Sequence, residues 1–340
     1  MIDLLPGQYT VRIVKDGYLP WEKKVEIRKE VVTKADALLF PNAPRLESIT
    51  TSGVEGPLVD PSHRRIAFRI ASQSAKKNGL YVLDMTSNPV LTLQSNTKQL
   101  ADDITASFSQ STHTWSPDGQ ELVASIAAEA PDTYTYYLLK GSGFNDPPQN
   151  VTEILTSVED QWLADKAEKE KALMDGLRKP LKQLITANFR IISWSPDEKR
   201  IMYIASQSAT LPYIIQPRHI GIDTMREDRN IKKDSIYIYD LTDDVNMKVL
   251  HVDQTVCDQQ ESPDLCHPPI QWFPDSDHLI TVQDKKINIM EWDGTNSTTV
   301  YAGPFIDNYV FPWPDGSKIV ILTNFNSQGV PPNLYTVGLK

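Results

Sequence analysis

The segment His113-Thr114-Trp115-Ser116-Pro117-Asp118-Gly119 carries the reading of the fold. An apolar strand end runs into a Pro-Asp-Gly turn, in which proline presets φ and aspartate caps the turn through its own side chain. The pattern returns as Ser193-Trp194-Ser195-Pro196-Asp197-Glu198 and as Gln271-Trp272-Phe273-Pro274-Asp275-Ser276. A variant is Pro312-Trp313-Pro314-Asp315-Gly316, and Leu58-Val59-Asp60-Pro61-Ser62 is a degenerate copy. An internal repeat of this kind takes precedence over any local reading.

Outward from each turn the sequence predicts strands: residues 65–70, 121–126, 200–205, 278–282 and 318–323, then 79–85, 133–139, 235–241, 286–292 and 332–339. Each is a short run rich in Val, Ile, Tyr and Leu between Pro, Asp, Asn and Ser clusters. Fourth strands are visible at 247–252 and 297–301. Four antiparallel strands repeated around an axis make a propeller blade. The chain therefore reads as all-β, a β-propeller of four-stranded antiparallel sheets. Five blades are expected, or six if the long gaps hide a degenerate unit. Trp115, Trp194 and Trp272 would fill the space between neighbouring sheets. The last unit stops after its third strand, and residues 45–50 (RLESIT) are expected to supply its fourth, which would remove an exposed sheet edge. The WSPDG turn, with a strand and a Tyr-x-[Leu/Tyr]-Asp strand after it, resembles the WD40-like, TolB-type propeller repeats over roughly residues 46–340. That resemblance implies a fold and is nearly silent on activity.

The first part of the chain is different. Residues 8–15 alternate, Asp16-Gly17 is a turn dipeptide, and 22–28 and 30–39 read as two further strands. Such a three-stranded meander is too small to bury its own core. Pro6, Gly7, Tyr9, Val11, Gly17, Tyr18, Pro20 and Trp21 resemble the second half of a PEGA domain. The family's first half is missing, so the chain reads as beginning inside that domain. The resemblance implies an export signal or membrane anchor upstream of Met1. The expected division is a partial PEGA-like β domain at 1–44 and the propeller at 45–340, with a helical insertion at about 157–184.

Of 340 residues, 40% are hydrophobic and 23% charged, as in ordinary soluble proteins. With 44 acidic and 34 basic side chains the net charge is −10, which argues against a nucleic-acid partner. No apolar run approaches ~18 residues, so no segment of this sequence is expected to cross a bilayer. Cys257 and Cys266 stand alone in CDQQESPDLC and read as a loop staple, worth about 2.5–3 kcal/mol in an oxidising compartment. The alternative is two free thiols in a cytoplasmic protein. His251 and His267 do not complete a zinc spacing, and no cofactor is expected.

The long connections fall by blade topology on one side of the expected disc, which points to a functional face. In the helical insertion, Ser157 and Asp160 form a capping-box pattern. Trp162, Leu163, Ala167, Leu173, Met174 and Leu177 share a face on which Lys166 and Glu170 intrude, and Gly176 and Pro180 end or break the helix. The stripe reads first as docked on the propeller, and second as a lid or partner-binding helix. The 206–233 insertion gathers Tyr213, Gln216, Arg218, His219, Asp223, Arg226, Glu227, Asp228 and Arg229. Three arginines with aromatic and amide neighbours suit an anionic or sugar ligand, against the plainer reading of local ion pairs. Trp162, Tyr213, Arg218, His219, Arg226 and Arg229 are thus the candidate partner-binding residues. No GxSxG elbow, P-loop or GxGxxG is present. The expected function is a non-enzymatic cell-envelope binding or scaffold protein outside the cytoplasm, with a protein or cell-wall polysaccharide as partner. The alternatives are a five-bladed polysaccharide-active glycosidase or lyase, which needs paired carboxylates, and a cytoplasmic protein-interaction propeller.

Overall fold

The computed structural model describes residues 4–29, 31–33, 35–86, 96–219, 222, 226–251, 270–306, 309–325 and 331–340. A hairpin of β1 (Gly7–Ile13) and β2 (Trp21–Ile27) comes first, then a short strand β3 (Leu46–Ser48). Five four-stranded antiparallel sheets follow. The first holds β4 (Glu55–Val59), β5 (Arg65–Ile70), β6 (Gly79–Asp84) and β7 (Thr97–Asp102). The second holds β8 (Thr112–Trp115), β9 (Glu121–Ala127), β10 (Tyr134–Lys140) and β11 (Gln149–Asn150). Helices α1 (Leu155–Asp175) and α2 (Lys179–Asn188) lead to the third, made of β12 (Phe189–Trp194), β13 (Arg200–Ala205), β16 (Ser235–Asp240) and β17 (Val245–His251). A separate pair, β14 (Ala209–Thr210) and β15 (Asn230–Ile231), sits between β13 and β16. The fourth sheet is β18 (Ile270–Trp272), β19 (His278–Gln283), β20 (Lys286–Glu291) and β21 (Thr298–Tyr301). The fifth is β22 (Val310–Pro312), β23 (Lys318–Thr323), β24 (Asn333–Gly338) and, against β24, β3 from the other end of the chain.

All five turns are built alike. The backbone N–H of Asp60, Ser116, Ser195, Phe273 or Trp313, the residue before each proline, donates to the carbonyl of the residue five positions on, each at 2.9 Å. Each turn includes a residue with positive φ: His63, Gly119, Glu198, Ser276 or Gly316. Four residues after every repeat proline the second strand begins. Ser116 and Ser195 add a relay: their hydroxyls donate to Asp118 (2.6 Å) and Asp197 (2.7 Å) and accept from the N–H of Glu121 (3.0 Å) and Arg200 (2.9 Å). In the degenerate copy the Asp60 carboxylate replaces the serine, accepting from the N–H of Arg64 and Arg65 at 2.7 Å each.

Contact clustering divides the chain into two compact units. One comprises Arg45–Leu173 and Pro304–Gly338, and contains the fifth, first and second sheets. Alternate residues of β5 serve its two neighbours: Ile66, Phe68 and Ile70 pack with Trp313, Val320 and Leu322 of the fifth sheet, while Ala67 packs with Trp115, Leu122 and Ala124 of the second. The other unit comprises Met1–Pro44, Met174–Gly303 and Leu339–Lys340, and contains the hairpin and the third and fourth sheets. There Met202, Ile236 and Ile238 pack on Trp272, Leu279 and Met290. Each side thus removes its apolar surface from water at about 25 cal/mol per Å². Trp115 and Trp272 lie between sheets as expected, and so does Trp313, whereas Trp194 packs beside α2.

An arginine at equivalent positions joins consecutive sheets. Arg65 donates to the Gly119 carbonyl (2.8 Å) and Arg200 to the Ser276 carbonyl (2.7 Å), the positive-φ residue of the next turn in each case. Both guanidinium groups also lie over an indole, Trp115 at 5.5 Å and Trp292 at 4.4 Å.

Two expectations need correction. Residues 31–33 and 35–40 form no third strand beside β2. This segment instead crosses the β1–β2 turn, where Leu19 N–H donates to Phe40 O (2.8 Å) and Asn42 N–H to Gly17 O (2.9 Å). Its one bridge pairs Tyr18 with Pro41, and proline has no N–H to extend a ladder. The insertion helix is also not a single docked stripe. It begins at Leu155, which places Ser157 and Asp160 inside it, and breaks between Asp175 and Lys179. No residue of α1 is buried; the buried helical residues of this insertion are Leu181 and Ile185 of α2. Lys166 and Glu170, 4.0 Å apart, interrupt the stripe, while Met174 and Leu177 at its end are partly buried against the third-sheet core.

Replacing Ser116 or Ser195 by alanine removes the same relay from two turns. Each variant is expected to lose about 1 kcal/mol in urea titrations, and by similar amounts. An unmoved midpoint for either would show that the two turns are not equivalent.

Candidate functional site

The 206–233 insertion lies over a sheet face. Leu211 and Ile231 are buried with Leu181 and Ile185 of α2 against Tyr203, Tyr237 and Tyr239 of the third sheet. Sealing that face fixes the polar residues above it. The hub is Asp244, in the β16–β17 link, with φ 54°. Its carboxylate accepts from the N–H of Ile214 (2.6 Å) and Ile215 (2.8 Å), from the Tyr239 hydroxyl (2.6 Å) and from Arg229 (3.0 Å). Burial alone would raise the Asp244 pKa, but these donors outweigh it and hold it below the ordinary carboxylate value.

The candidate residues fall around this hub with their charges already engaged. Arg229 also pairs with Glu227 and donates to Pro212 O (2.8 Å). Arg218 pairs with Glu227 at 3.0 Å. Both guanidinium groups lie over the Tyr213 ring, at 4.1 and 4.7 Å. Arg226 donates to Gly294 O at 3.2 Å, and His219 Nδ1 is 3.5 Å from Asp243. The plainer reading, local ion pairing, is the arrangement found at Arg218 and Arg229, while Arg226 meets a backbone carbonyl. Trp162, half-buried on α1, belongs to the other compact unit. Cys257, Cys266, His267 and Asp223 lie outside the described residues.

A second polar site was invisible in the sequence. Trp21 of β2 donates its indole N–H to Glu291 (3.0 Å), and Lys23 pairs with Glu291 and, at 2.9 Å, with Asp293. Asn296 and Thr295 complete the cage around the two carboxylates. Burial pulls the Lys23 pKa down, yet Asp293 and Glu291 outweigh it and raise it; the same attraction, against burial, lowers Asp293. The hairpin is thereby seated on the β20–β21 link of the fourth sheet. Separate from both sites, His113 on β8 has two buried ring nitrogens without a hydrogen-bond partner among the described residues. Burial, aided by the nearby Arg69 charge and opposed by the Ala67 backbone, lowers its pKa to about 4.

Among the described residues no three His, Cys, Asp or Glu gather as a metal site, and no helix is long and apolar enough to cross a membrane.

The PEGA domain family model matches residues 1–42, the hairpin and the segment that crosses it. No curated protein matches the chain. Among solved structures, TolB from Acinetobacter baumannii is similar over 98% of this chain and 64% of its own, at 11% identity and a TM-score of 0.27. A eukaryotic initiation factor is similar over 84% of this chain and 52% of its own (13% identity, TM-score 0.24), and a prolyl endopeptidase over 97% and 48% (12%, 0.27). The chain thus spans less than two thirds of each of these structures.

Two outcomes follow from these geometries. Lys23→Met leaves Glu291 and Asp293 buried without their cation, and is expected to cost about 3 kcal/mol and to release the hairpin to protease. Unchanged stability and cleavage would contradict the seat. The unfolded His113 imidazole titrates near 6.5, so below that pH the unfolded chain takes up a proton that the folded one refuses until about 4. Stability is therefore complete above about 6.5 and falls by about 3 kcal/mol as pH drops to about 4. Urea titrations across this range should show the slope shrink in His113→Phe, and an identical slope would contradict the assignment.

Proposed function

We propose that this protein is a non-enzymatic binding or scaffold protein of the cell envelope, displayed outside the cytoplasm. In this reading residues 45–340 form a single five-bladed propeller, and the PEGA-like part at 1–44 is its spacer. The observation that carries the proposal is the seat of the hairpin. A module that matches the PEGA domain is fastened to the fourth sheet by an indole, a lysine and two nearly buried carboxylates. A tether that only had to be flexible would have no use for a desolvated ion pair, which is costly unless its geometry holds. Such a seat suits a part that sets the orientation of a presented surface.

The partner class is a protein or a cell-wall polysaccharide. The test incubates the purified protein with cell-wall polysaccharide and with folded envelope-protein ectodomains. The expected result is saturable retention with no soluble sugar or peptide released. Turnover-dependent release of reducing ends or peptides would overturn the proposal.

A further inference from the structure

The edge of the first sheet carries a cavity of about 120 Å³ that neither of the polar sites above uses. Its walls are the end of β7, the turn that follows, and the β10–β11 loop, including Asp102, Ile104, Phe108, Phe144, Asn145 and Asp146. The loop is fixed in place by Asn145. Its backbone N–H and its side-chain Nδ2 both donate to the Leu100 carbonyl, at 2.8 and 3.1 Å, and its Oδ1 accepts from Lys140 N–H at 2.8 Å. The cavity is thus preorganised by the backbone of two neighbouring sheets.

Its chemistry is uneven. Ile104 and Phe144 stand at its margin 67% and 52% exposed, a cost that two large apolar side chains beside a concavity would shed on binding. Asp102 caps the following turn with one oxygen, accepting from Ile104 N–H at 3.1 Å. Asp146 makes no hydrogen bond or ion pair with any described residue. Among the described residues no lysine or arginine lines the cavity. An apolar stem with a cationic head would cover the exposed carbon and meet the two carboxylates at once, which is how long basic side chains bury themselves.

We propose that this notch seats a lysine or arginine side chain presented by a partner protein, with the stem against Phe144 and Ile104 and the head at Asp102 and Asp146. The proposal rests on the binding reading above and deepens it from partner in general to a protein with a basic side chain. The chain's net charge of −10 draws such a partner from a distance.

The test is a methyl-detected NMR titration of the whole chain with capped Ala-Lys-Ala and Ala-Arg-Ala. Capped Ala-norleucine-Ala controls for the stem and Ala-Glu-Ala for charge. The Ile104 methyl and the Asn145 amide should shift saturably with a basic peptide, and norleucine should bind about tenfold more weakly, roughly one charge pair's worth. Asp146→Asn, which disturbs no contact within the fold, should weaken the basic peptides toward the norleucine level. Phe144→Ala should weaken all three stem-bearing peptides. No saturable shift, equal binding of all four peptides, or an Asp146→Asn variant that binds like the parent would overturn the notch. None of those results touches the envelope reading, which fails instead on turnover of polysaccharide or peptide.

Discussion

One hydrogen bond, made five times, is the constraint on which the rest of the structure depends. The N–H of the residue before each repeat proline reaches across its turn at 2.9 Å, and a residue with positive φ reverses the chain inside the loop. That geometry starts a second strand four residues after each proline, and the strand's alternation sends side chains to both faces. Because both faces of β5 and β13 are apolar, each sheet has to find cover on two sides. For β5 the fifth sheet covers one face and the second sheet the other. For β13 the fourth sheet covers one, and α2 with the 206–233 insertion covers the other. Arg65 and Arg200 then tie a strand start to the next turn's backbone, so the spacing between sheets is set by directional bonds as well as by packing.

The repeat was legible because its cause is local. Proline, aspartate and a residue able to adopt positive φ must sit at fixed offsets, and so the second and third strands of each sheet read directly from the chain. Even the pairing of β3 with β24 followed from residues 45–50 standing unclaimed beside a sheet one strand short. What escaped was whatever depends on a distant partner. Nothing near Trp21 or Lys23 announces Glu291 and Asp293, some 270 residues away. The full engagement of Arg229 was hidden in the sequence because Asp244 comes from a different link. The helix was visible but its docking was not: periodicity reports which residues share a face, and α1 docks that face on the third-sheet core at its last turn, through Met174.

These misreadings shift where binding is sought. A loop rich in arginine, tyrosine and histidine invites a ligand, yet here Arg218 and Arg229 are already paired with Glu227 and Asp244, and Leu211 and Ile231 seal a sheet. The surface that retains unspent chemistry is quieter in sequence, two aspartates and two apolar residues split between a turn and a loop. The hairpin, for its part, is held on the fourth sheet through Lys23.

The most direct measurement of the central claim is amide hydrogen exchange at the five closing N–H groups, those of Asp60, Ser116, Ser195, Phe273 and Trp313. The account predicts that all five are protected as strongly as the interior amides of the strands they introduce. Exchange of any one at the rate of an open loop, while its sheet stays protected, would contradict the claim that a single turn geometry builds all five sheets.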